Sequence, residues 1–256
     1  MAIKIMLDAG HNTKYNQGAY KSYYEGDMTF KLQTYLKSEL ESYGFYVGVT
    51  KTSVAQDMAL STRGQKAKGY DLFISLHSNA CSTPSVKRVV VIKGYDQGDT
   101  LAAKFGKCIS EAMGINEKYQ IMTRKGSTGG EYYGVLRGAK SVGVNDRFIL
   151  EHGFHTNEET SKWLYNDDNL KKLAEAEAKM IAEHYGYKKN IKDIETGIYK
   201  ITVNTLNIRK GPATTYDIVG TVKKGEVYTI VETKGNWGKL KSGAGWVYLD
   251  YCTKIK

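Results

Sequence analysis

The chain has 256 residues, which is enough for one α/β domain and a second small domain, each with its own core. Its residues are 41% hydrophobic and 25% charged, as in an ordinary soluble globular protein, and no apolar run approaches the roughly 18 residues of a membrane-spanning helix. A formal net charge of +10 indicates attraction to an anionic partner, for which nucleic acid, a membrane surface and an acidic wall polymer are the candidates.

The first residues and the cysteines indicate the compartment in which the chain is made. The opening MAIKIMLDAGH lacks the basic head, long apolar stretch and cleavage site of a signal peptide, so we expect synthesis in a cytoplasm. Cys81, Cys108 and Cys252 are too far apart for a disulfide framework or a paired zinc motif. We therefore expect free thiols in a reducing compartment.

Strands and helices alternate through residues 1–186, the predicted first domain. The predicted strands are 3–10, 45–50, 72–76, 87–93 and 147–150. The predicted helices are 58–69, 99–113, 158–185 with a break near Asn166, and one that begins near Glu25 and stops at Gly44. Residues 121–133 read as a glycine-rich loop, and 135–139 lead into the last strand. This alternation is typical of an α/β domain with an open, mostly parallel or mixed sheet flanked by helices.

The pattern changes after residue 186. Residues 187–198 are polar and lysine-rich, which predicts a linker. Short β-rich runs then alternate with glycine-containing turns, at 199–203, 218–222, 227–232, 238–240 and 245–249. They predict a small all-β barrel of about five to seven strands over 199–256. Residues 188–256 hold thirteen Lys and Arg against six Asp and Glu, so this domain is the expected anchor for an anionic partner.

Four side chains in the first domain predict a zinc hydrolase. Three apolar strands are followed by His11, His77 and Glu151, and strand ends are where sites assemble in an open α/β sheet. Glu25 completes a His, Glu, His set, the donor types of catalytic zinc, which leaves a fourth position for water. Zinc acidifies water and polarises a carbonyl, and a nearby carboxylate must pass the proton to the leaving nitrogen. We therefore expect zinc at His11, Glu25 and His77, with Glu151 as the proton carrier in amide hydrolysis.

Each of these residues also has a structural interpretation when it is taken alone. A single histidine at a strand end is more often structural than a ligand. Glu25 suits the first turn of a helix, where the dipole favours a carboxylate. Glu151 is a candidate ion-pair partner for Arg63, Arg137 or Arg147. It is the joint placement of the four side chains that favours a site.

Four sequence blocks resemble the signature blocks of zinc-dependent N-acetylmuramoyl-L-alanine amidases. They are LDAGH at 7–11, Glu25 opening a helix, SLHSNA at 75–80 and LEHGFHTN at 150–157. The resemblance covers residues 1–186 in order and in spacing. It implies hydrolysis of the amide that joins the lactyl group of N-acetylmuramic acid to L-alanine of the peptidoglycan stem. It also implies that His11, Glu25 and His77 bind zinc and that Glu151 is the catalytic carboxylate.

Three positions depart from that family's usual residues. Asn12 stands where glycine is frequent, and His152 and His155 stand where apolar residues are commoner. Strand alternation places His152 on the opposite side of the backbone from Glu151, so we expect supporting or structural roles for both histidines. These departures leave the zinc chemistry intact, but they bear on the pH dependence of the activity and on the geometry of the loops.

Residues 199–256 resemble a bacterial SH3-like module. The resemblance rests on LNIRKGP at 206–212, the run 218–225, GNWGKL at 235–240 and GWV at 245–247. Such modules bind cell-wall peptides, and the candidate wall-binding aromatic residues are Trp237, Trp246, Tyr216 and Tyr248. The alternative is that both tryptophans fill the barrel core, since tryptophan is highly buried on average.

Together the two resemblances imply a peptidoglycan amidase with a zinc domain and a basic wall-binding domain, similar in layout to phage endolysins. The implied partners are bacterial peptidoglycan and anionic wall polymers, with no nucleic acid and no membrane span. A bacterial autolysin of the same activity and a non-catalytic wall-binding protein are the alternatives. A nucleic-acid binder is suggested by charge alone, and a zinc peptidase or sugar deacetylase would use the same metal chemistry on another bond.

Overall fold

The structure, a computed structural model, describes residues 3–188, 195–213 and 216–256. The chain divides into two compact units, Met1–Lys188 and Lys189–Lys256. Within the described ranges, no helix has both the length and the apolar character that crossing a bilayer requires. Of the predicted linker, 187–198, residues 189–194 lie outside the described residues.

A mixed sheet forms the centre of the first unit. Its six described strands are β1 (Lys4–Ala9), β2 (Tyr46–Val49), β3 (Leu72–Asn79), β4 (Val90–Lys93), β5 (Gln120–Met122) and β6 (Asp146–Phe154). They lie in the order β2-β1-β3-β6-β4-β5. The first four run parallel to one another, and β4 pairs antiparallel with β6. The predicted α/β class is confirmed, and the three strands that precede or carry the candidate site residues are neighbours.

Helices cover both faces of this sheet. In the described part of the unit they are α1 (Glu25–Ser42), α2 (Leu60–Gln65), α3 (Thr100–Met113), α4 (Gly134–Ser141), α5 (Glu158–Tyr165) and α6 (Asp167–Tyr185). The break expected near Asn166 is confirmed, because Asn166 separates α5 from α6. Its side-chain oxygen accepts hydrogen bonds from the backbone N–H groups of Asp168 and Asn169, at 2.9 and 3.1 Å, as an N-cap does.

Successive residues of β3 enter two different apolar cores. Ile74 is fully buried in the core that α1, α3 and α6 form on one face. Phe73, also fully buried, packs with Leu136 of α4 in the core on the other face. This alternation follows from the period of two along a strand. It means that neighbouring positions at the end of β3 and β6 also face opposite sides of the sheet.

Strands β3 and β6 are longer than the apolar runs that predicted them. β3 continues past His77 to Asn79, where a turn was predicted, and β6 continues past Glu151 to Phe154. The two strands pair along this extension, and Asn79 lies opposite Phe154 after a register shift. The prediction that the strands stop at the two functional side chains was therefore wrong, because a pairing partner rather than local apolarity decides where they end.

Helix α4 and strand β5 were not predicted. Helix α4 spans the segment 135–139 that was expected only to lead into the last strand, and β5 lies at the edge of the predicted loop 121–133. Helix α4 packs closely on α2: a Cβ added to Gly64 would lie 2.0 Å from the carbonyl oxygen of Val135. Close helix–helix contact of this kind depends on residues far apart in the sequence.

The second unit is an antiparallel sheet consistent with the predicted SH3-like barrel. Its described strands are β7 (Gly197–Ile201), β8 (Thr205–Arg209), β9 (Ile218–Lys223), β10 (Val227–Lys234), β11 (Trp237–Leu240), β12 (Trp246–Tyr248) and β13 (Cys252–Lys254). They lie in the order β13-β7-β10-β11-β12-β8-β9. Ile201, Ile230 and Val247 are among its core residues, each at most 1% exposed. Strands β8 and β13 were not among the predicted runs.

Candidate active site

The three predicted metal ligands meet at the carboxyl edge of the sheet. His11 follows β1, His77 lies in β3, and Glu25 opens α1. One candidate ligand atom of each lies within 4.8 Å of those of the other two. Glu25 Oε1 is 3.0 Å from His77 Nδ1, and Glu25 Oε2 is 3.3 Å from His11 Nε2. Residues distant in the sequence therefore form one cluster.

The backbone around His11 is shaped for a close approach between β1 and β3. His11 has a φ of 56°, a left-handed conformation that is uncommon for a non-glycine residue and costs on the order of 1–3 kcal/mol, and strained residues of this kind cluster at active sites. Gly10 donates its N–H to the carbonyl of Leu76 at 3.0 Å. A Cβ on Gly10 would lie 2.4 Å from Cε1 of His77, so only glycine leaves room for that ring.

Glu25 is held as an ionised carboxylate. Its side chain is 1% exposed. Oε1 accepts a hydrogen bond from the backbone N–H of Ser78 at 2.9 Å, and Oε2 accepts one from Nδ2 of Asn16 at 2.6 Å. Burial raises the pKa of Glu25, but hydrogen bonds from His11 and His77 outweigh burial and hold the pKa well below its usual range. The carboxylate is therefore available as a ligand at neutral pH.

The donor atoms of this cluster are of the types that bind zinc. Two imidazoles and one carboxylate are a donor set that catalytic zinc uses, with a further position left for water or substrate. The hydrogen bonds from Ser78 and Asn16 orient the carboxylate of Glu25, as groups around metal ligands commonly do.

Glu151 lies beside the cluster on the neighbouring strand. It is the register partner of His77 in the parallel pairing of β3 with β6. Its Oε2 is shielded from solvent and has no hydrogen-bond partner among the described residues. Burial, and then the carboxylate of Glu25, raise the pKa of Glu151 to about 8. An unpaired carboxyl group that exchanges a proton near neutral pH suits acid–base chemistry.

The arginines considered as ion-pair partners of Glu151 have other partners. Arg63 binds Asp8 through two parallel hydrogen bonds, Nε to Oδ1 and Nη2 to Oδ2, both at 2.8 Å. Arg147 pairs with two other carboxylates, and Arg137 donates to backbone carbonyls. The ion-pair interpretation of Glu151 is therefore wrong.

His152 points away from Glu151, as strand alternation predicted. It is fully buried, and its Nε2 lies 2.8 Å from Oε1 of Glu177 on α6. Its Nδ1 lies 2.9 Å from the backbone carbonyl oxygen of His77. Burial lowers the pKa of His152, but the carboxylate of Glu177 outweighs burial, so the pKa is raised overall.

His155 lies beside the cluster, close to Ser78 and Glu25. Its Nδ1 is 2.9 Å from Oγ of Ser78 and 4.0 Å from Oε2 of Glu25. The hydroxyl of Tyr23 is 2.6 Å from the same Ser78 oxygen. Burial lowers the pKa of His155. His155 therefore contacts the end of β3, the strand that carries His77, through Ser78.

The candidate wall-binding residues of the second unit are Trp237, Trp246, Tyr216 and Tyr248. Trp237 and Tyr248 lie opposite each other on β11 and β12, with ring centroids 5.2 Å apart. Val247 is fully buried in the core, so strand alternation places Trp246 and Tyr248 on the other face of β12, although Tyr248 also packs partly against the core. The tryptophans are nevertheless only 9% and 8% exposed, respectively, which leaves little of either ring for a ligand.

Tyr251 and Tyr216 differ in where they lie relative to the contacting rings of Trp237 and Tyr248, which we call the aromatic face. Tyr251 was not predicted, yet it is 49% exposed and its ring centroid lies 5.7 Å from that of Tyr248. Tyr216 packs in another loop, where a Cβ on Gly211 would lie 2.6 Å from its ring. The accessible aromatic surface around Tyr248 is therefore extended by Tyr251.

Comparison with known proteins identifies the family. A family model described as N-acetylmuramoyl-L-alanine amidase matches residues 5–183, about two thirds of the chain. The chain belongs to the N-acetylmuramoyl-L-alanine amidase family. A bacterial SH3 domain model matches residues 204–252, within the second unit.

Individual relatives of this amidase-family chain include bacterial wall proteins. The "Probable cell wall amidase LytH" of Staphylococcus epidermidis is 30% identical over 175 residues, which cover 67% of this chain and 54% of that protein. The chain thus spans about half the length of this staphylococcal relative. The catalytic domain of CwlV, an N-acetylmuramoyl-L-alanine amidase from Bacillus (Paenibacillus) polymyxa, matches with a TM-score of 0.62 at 19% identity, over 73% of this chain and 99% of that one. That likeness shows a shared fold.

Three residues of the amidase-family site were missed by sequence reasoning. Asn16 and Ser78 hold the carboxylate of Glu25, and the ring of Tyr15 stacks on that of His11 with centroids 4.6 Å apart. Ser78 acts through its backbone N–H, which every residue except proline has, so its identity carries no signal. Tyr15 and Asn16 lie in the polar loop after His11, whose course depends on its contacts with α1.

Proposed function

We propose that the protein hydrolyses the amide bond between the lactyl group of N-acetylmuramic acid and L-alanine of the peptidoglycan stem. In this proposal zinc is held by His11, Glu25 and His77, and Glu151 transfers the proton. The observation that carries it is the convergence of the three donors within 4.8 Å, beside a carboxylate whose oxygen has no partner among the described residues. Membership of the amidase family supports the choice of bond.

Each ligand has a defined part in the proposed reaction. His11 and His77 would each offer one ring nitrogen, and Glu25 a carboxylate oxygen that Ser78 and Asn16 orient. When bound, zinc supplies Lewis acidity, which polarises a carbonyl and makes water a better nucleophile at neutral pH. Because the donors come from the ends of β1 and β3 and the start of α1, the framework holds them in place before substrate arrives.

Glu151 is the proton carrier of the proposal. Its carboxylate accepts a proton from the attacking water and delivers it to the leaving nitrogen of L-alanine, so that a neutral amine departs. In the metal-free protein, burial and the carboxylate of Glu25 raise the pKa of Glu151 to about 8. The positive charge of bound zinc would lower that pKa, which would leave the carboxylate ionised to accept the proton. The position opposite His77 supports this role, since opposed residues of neighbouring strands share one face of the sheet.

We infer that the second unit binds the cell wall. Tyr248 and Tyr251 form the accessible part of its aromatic face, with the mostly buried Trp237 packed against Tyr248, and Trp246 and Tyr216 are the other candidates. The excess of Lys and Arg over Asp and Glu in residues 188–256 would add attraction to anionic wall polymers. The bacterial SH3 match supports a role in wall binding.

The biological setting we propose is wall lysis by a phage endolysin, with a bacterial autolysin as the alternative. The alternative has support in the name of the staphylococcal relative, a cell wall amidase. Expression in a bacterium separates the two. An endolysin should lyse the culture only after the membrane has been permeabilised, whereas an exported autolysin should act without that treatment.

Mass spectrometry of purified walls tests the proposed reaction. We expect the protein with zinc to release intact stem peptides that begin with L-alanine, and a chelator to stop the release until zinc is restored. Peptides cut within the stem would indicate a peptidase, and loss of acetyl groups would indicate a deacetylase. Binding to walls without any released fragment would indicate a non-catalytic wall protein.

A further inference from the structure

A buried histidine–glutamate pair lies behind the proposed zinc site and takes no part in the proposed reaction. His152 of β6 and Glu177 of α6 are both fully buried. Their side chains meet at 2.8 Å through Nε2 and Oε1. The other ring nitrogen, Nδ1, lies 2.9 Å from the carbonyl oxygen of His77. One imidazole therefore connects a helix on one face of the sheet to the strand that carries a proposed ligand.

The chemistry of the partners defines the direction of the hydrogen bond to His77. A carbonyl oxygen only accepts, so Nδ1 of His152 must carry a proton and donate it. At the other nitrogen one proton lies between His152 and Glu177, whichever of them carries it. Turning the ring would break two buried hydrogen bonds, each costly to leave unmade. The imidazole is thus held in one orientation.

The carbonyl that His152 holds lies where the pairing of β3 with β6 is irregular. His77 pairs with Glu151, but two residues later Asn79 pairs with Phe154, so the register shifts between them. Gly153, with a φ of 73°, lies in the same irregular stretch of β6. Irregularities of this kind re-aim side chains. The backbone of His77 is therefore secured by a side-chain hydrogen bond at a point where the regular ladder is interrupted.

We propose that His152 is a positioning residue, whose Nδ1–H holds the carbonyl of His77 and so fixes the His77 imidazole for binding a divalent cation. The inference rests on the proposed function in one respect, that His77 is a zinc ligand. A purely structural role would require only that the buried polar groups of His152 and Glu177 have hydrogen-bond partners. The positioning role requires the bond to His77 in particular, and that difference can be measured.

Two isosteric substitutions separate the hydrogen bonds of His152. In His152→Asn the side-chain Nδ2 occupies the place of the imidazole Nδ1 and keeps the donor to His77, but the contact with Glu177 is lost. In His152→Gln the side-chain Nε2 reaches the place of the imidazole Nε2 and keeps the contact with Glu177, but the donor to His77 is lost. Each variant loses one buried hydrogen bond: His152→Asn leaves the Glu177 carboxyl without this partner, and His152→Gln leaves the His77 carbonyl without it. Because these two costs differ, the stability of each variant is measured beside its zinc affinity.

The measurement is the zinc Kd of the full chain, by competition with a chromophoric chelator, together with the Tm of the metal-free protein. We expect His152→Asn to stay within about threefold of the wild-type Kd, and His152→Gln to bind about 10–100-fold more weakly, as is usual when a ligand loses its support. Glu177→Gln, which leaves the Nδ1 contact in place, should lower the Tm without changing the Kd beyond about threefold.

The outcomes distinguish this inference from the proposed function. Equal weakening of zinc binding in His152→Asn and His152→Gln, or none in either, would overturn the positioning role while leaving the zinc site in place. A tenfold weakening in Glu177→Gln would do the same, since that variant keeps the bond to His77. A wild-type protein that binds no zinc would overturn the metal site itself.

Discussion

His77 and Glu151 lie directly opposite each other on the neighbouring parallel strands β3 and β6. Strands in a sheet are roughly 5 Å apart, and opposed residues send their side chains to the same face. A candidate ligand and a candidate proton carrier are therefore one strand spacing apart. Substitutions at the two positions should affect different properties of the protein.

Replacing Glu151 should slow hydrolysis strongly and spare zinc binding. We expect Glu151→Gln to release labelled peptide from walls about 10²–10⁴-fold more slowly, because no other group takes the proton, while zinc stoichiometry by equilibrium dialysis is unchanged. His77→Ala is the matched comparison, since it should lose both properties. Walls that clear equally well with Glu151→Gln would remove this residue from the mechanism.

Zinc should stabilise the folded protein by an amount that grows with the logarithm of its concentration once that concentration exceeds the Kd. A ligand that binds only the folded state contributes about 2.7 kcal/mol at a hundred times its Kd, which raises the Tm by several degrees. Calorimetry with zinc and with a chelator measures the shift. His11→Ala should remove the shift, because it deletes one of the three donors. An undiminished shift in that variant would place the ion elsewhere.

The raised pKa of Glu151 predicts how the stability of the metal-free protein depends on pH. Burial and the carboxylate of Glu25 raise this pKa to about 8, whereas an unfolded glutamate titrates near ~4.3. Between these values the folded state holds the extra proton, so the free energy of unfolding falls as the pH rises from about 5 to about 8. The contribution is fully present below about pH 4 and amounts to a few kcal/mol at most.

Urea denaturation with a chelator present, at about pH 5.5 and about pH 8, measures this dependence. The matched control is Glu151→Gln, which cannot titrate at that position and should lose less stability across the same interval. Identical losses in the two proteins would show that another group carries the effect.

The buried ion pair below the cluster should be essential for folding. Asp8 accepts hydrogen bonds from Arg63, from Thr50 Oγ1 at 2.6 Å and from Ser75 Oγ at 2.6 Å. We expect Asp8→Asn to cost about 3–5 kcal/mol of unfolding free energy, because it leaves the guanidinium buried without its counter-charge.

The exposed pair of Lys37 and Glu41 on α1 supplies the control for that experiment. Lys37→Gln should change stability by less than about 1 kcal/mol, as is usual for surface pairs. Urea denaturation compares the two variants. A loss in Asp8→Asn as small as that in Lys37→Gln would mean that the site tolerates an unpaired arginine.

The aromatic face of the second unit should carry wall binding. We expect Tyr248→Ala and Tyr251→Ala, in a Glu151→Gln background that leaves walls intact, to weaken sedimentation with walls about tenfold, or ~1.4 kcal/mol. Val231→Ala is the control, because Val231 is 47% exposed on β10 and lies outside the aromatic face. Equal binding by all three variants would place the wall-binding surface elsewhere.

The sequence alone identified much of the α/β domain and the residues at its strand ends. Apolar runs that alternate with helical patterns predict a sheet covered by helices. Strands β1, β3 and β6 are parallel neighbours and bring their carboxyl ends to one edge of that sheet. His11 and His77 could therefore be expected to meet before any coordinates were known. The break at Asn166 was also predictable, because an N-cap is a local interaction between one side chain and nearby N–H groups.

Only the tertiary structure decided the features that depend on distant partners. The ends of β3 and β6 follow from their pairing with each other, and the orientation of Glu25 follows from the backbone N–H of Ser78 and from Asn16. The unpartnered state of Glu151 among the described residues became evident once Arg63 was found on Asp8. Residue types and their spacing determine which groups are available, whereas packing between distant segments determines which of them touch, and hydrogen bonds and pKa values depend on that contact.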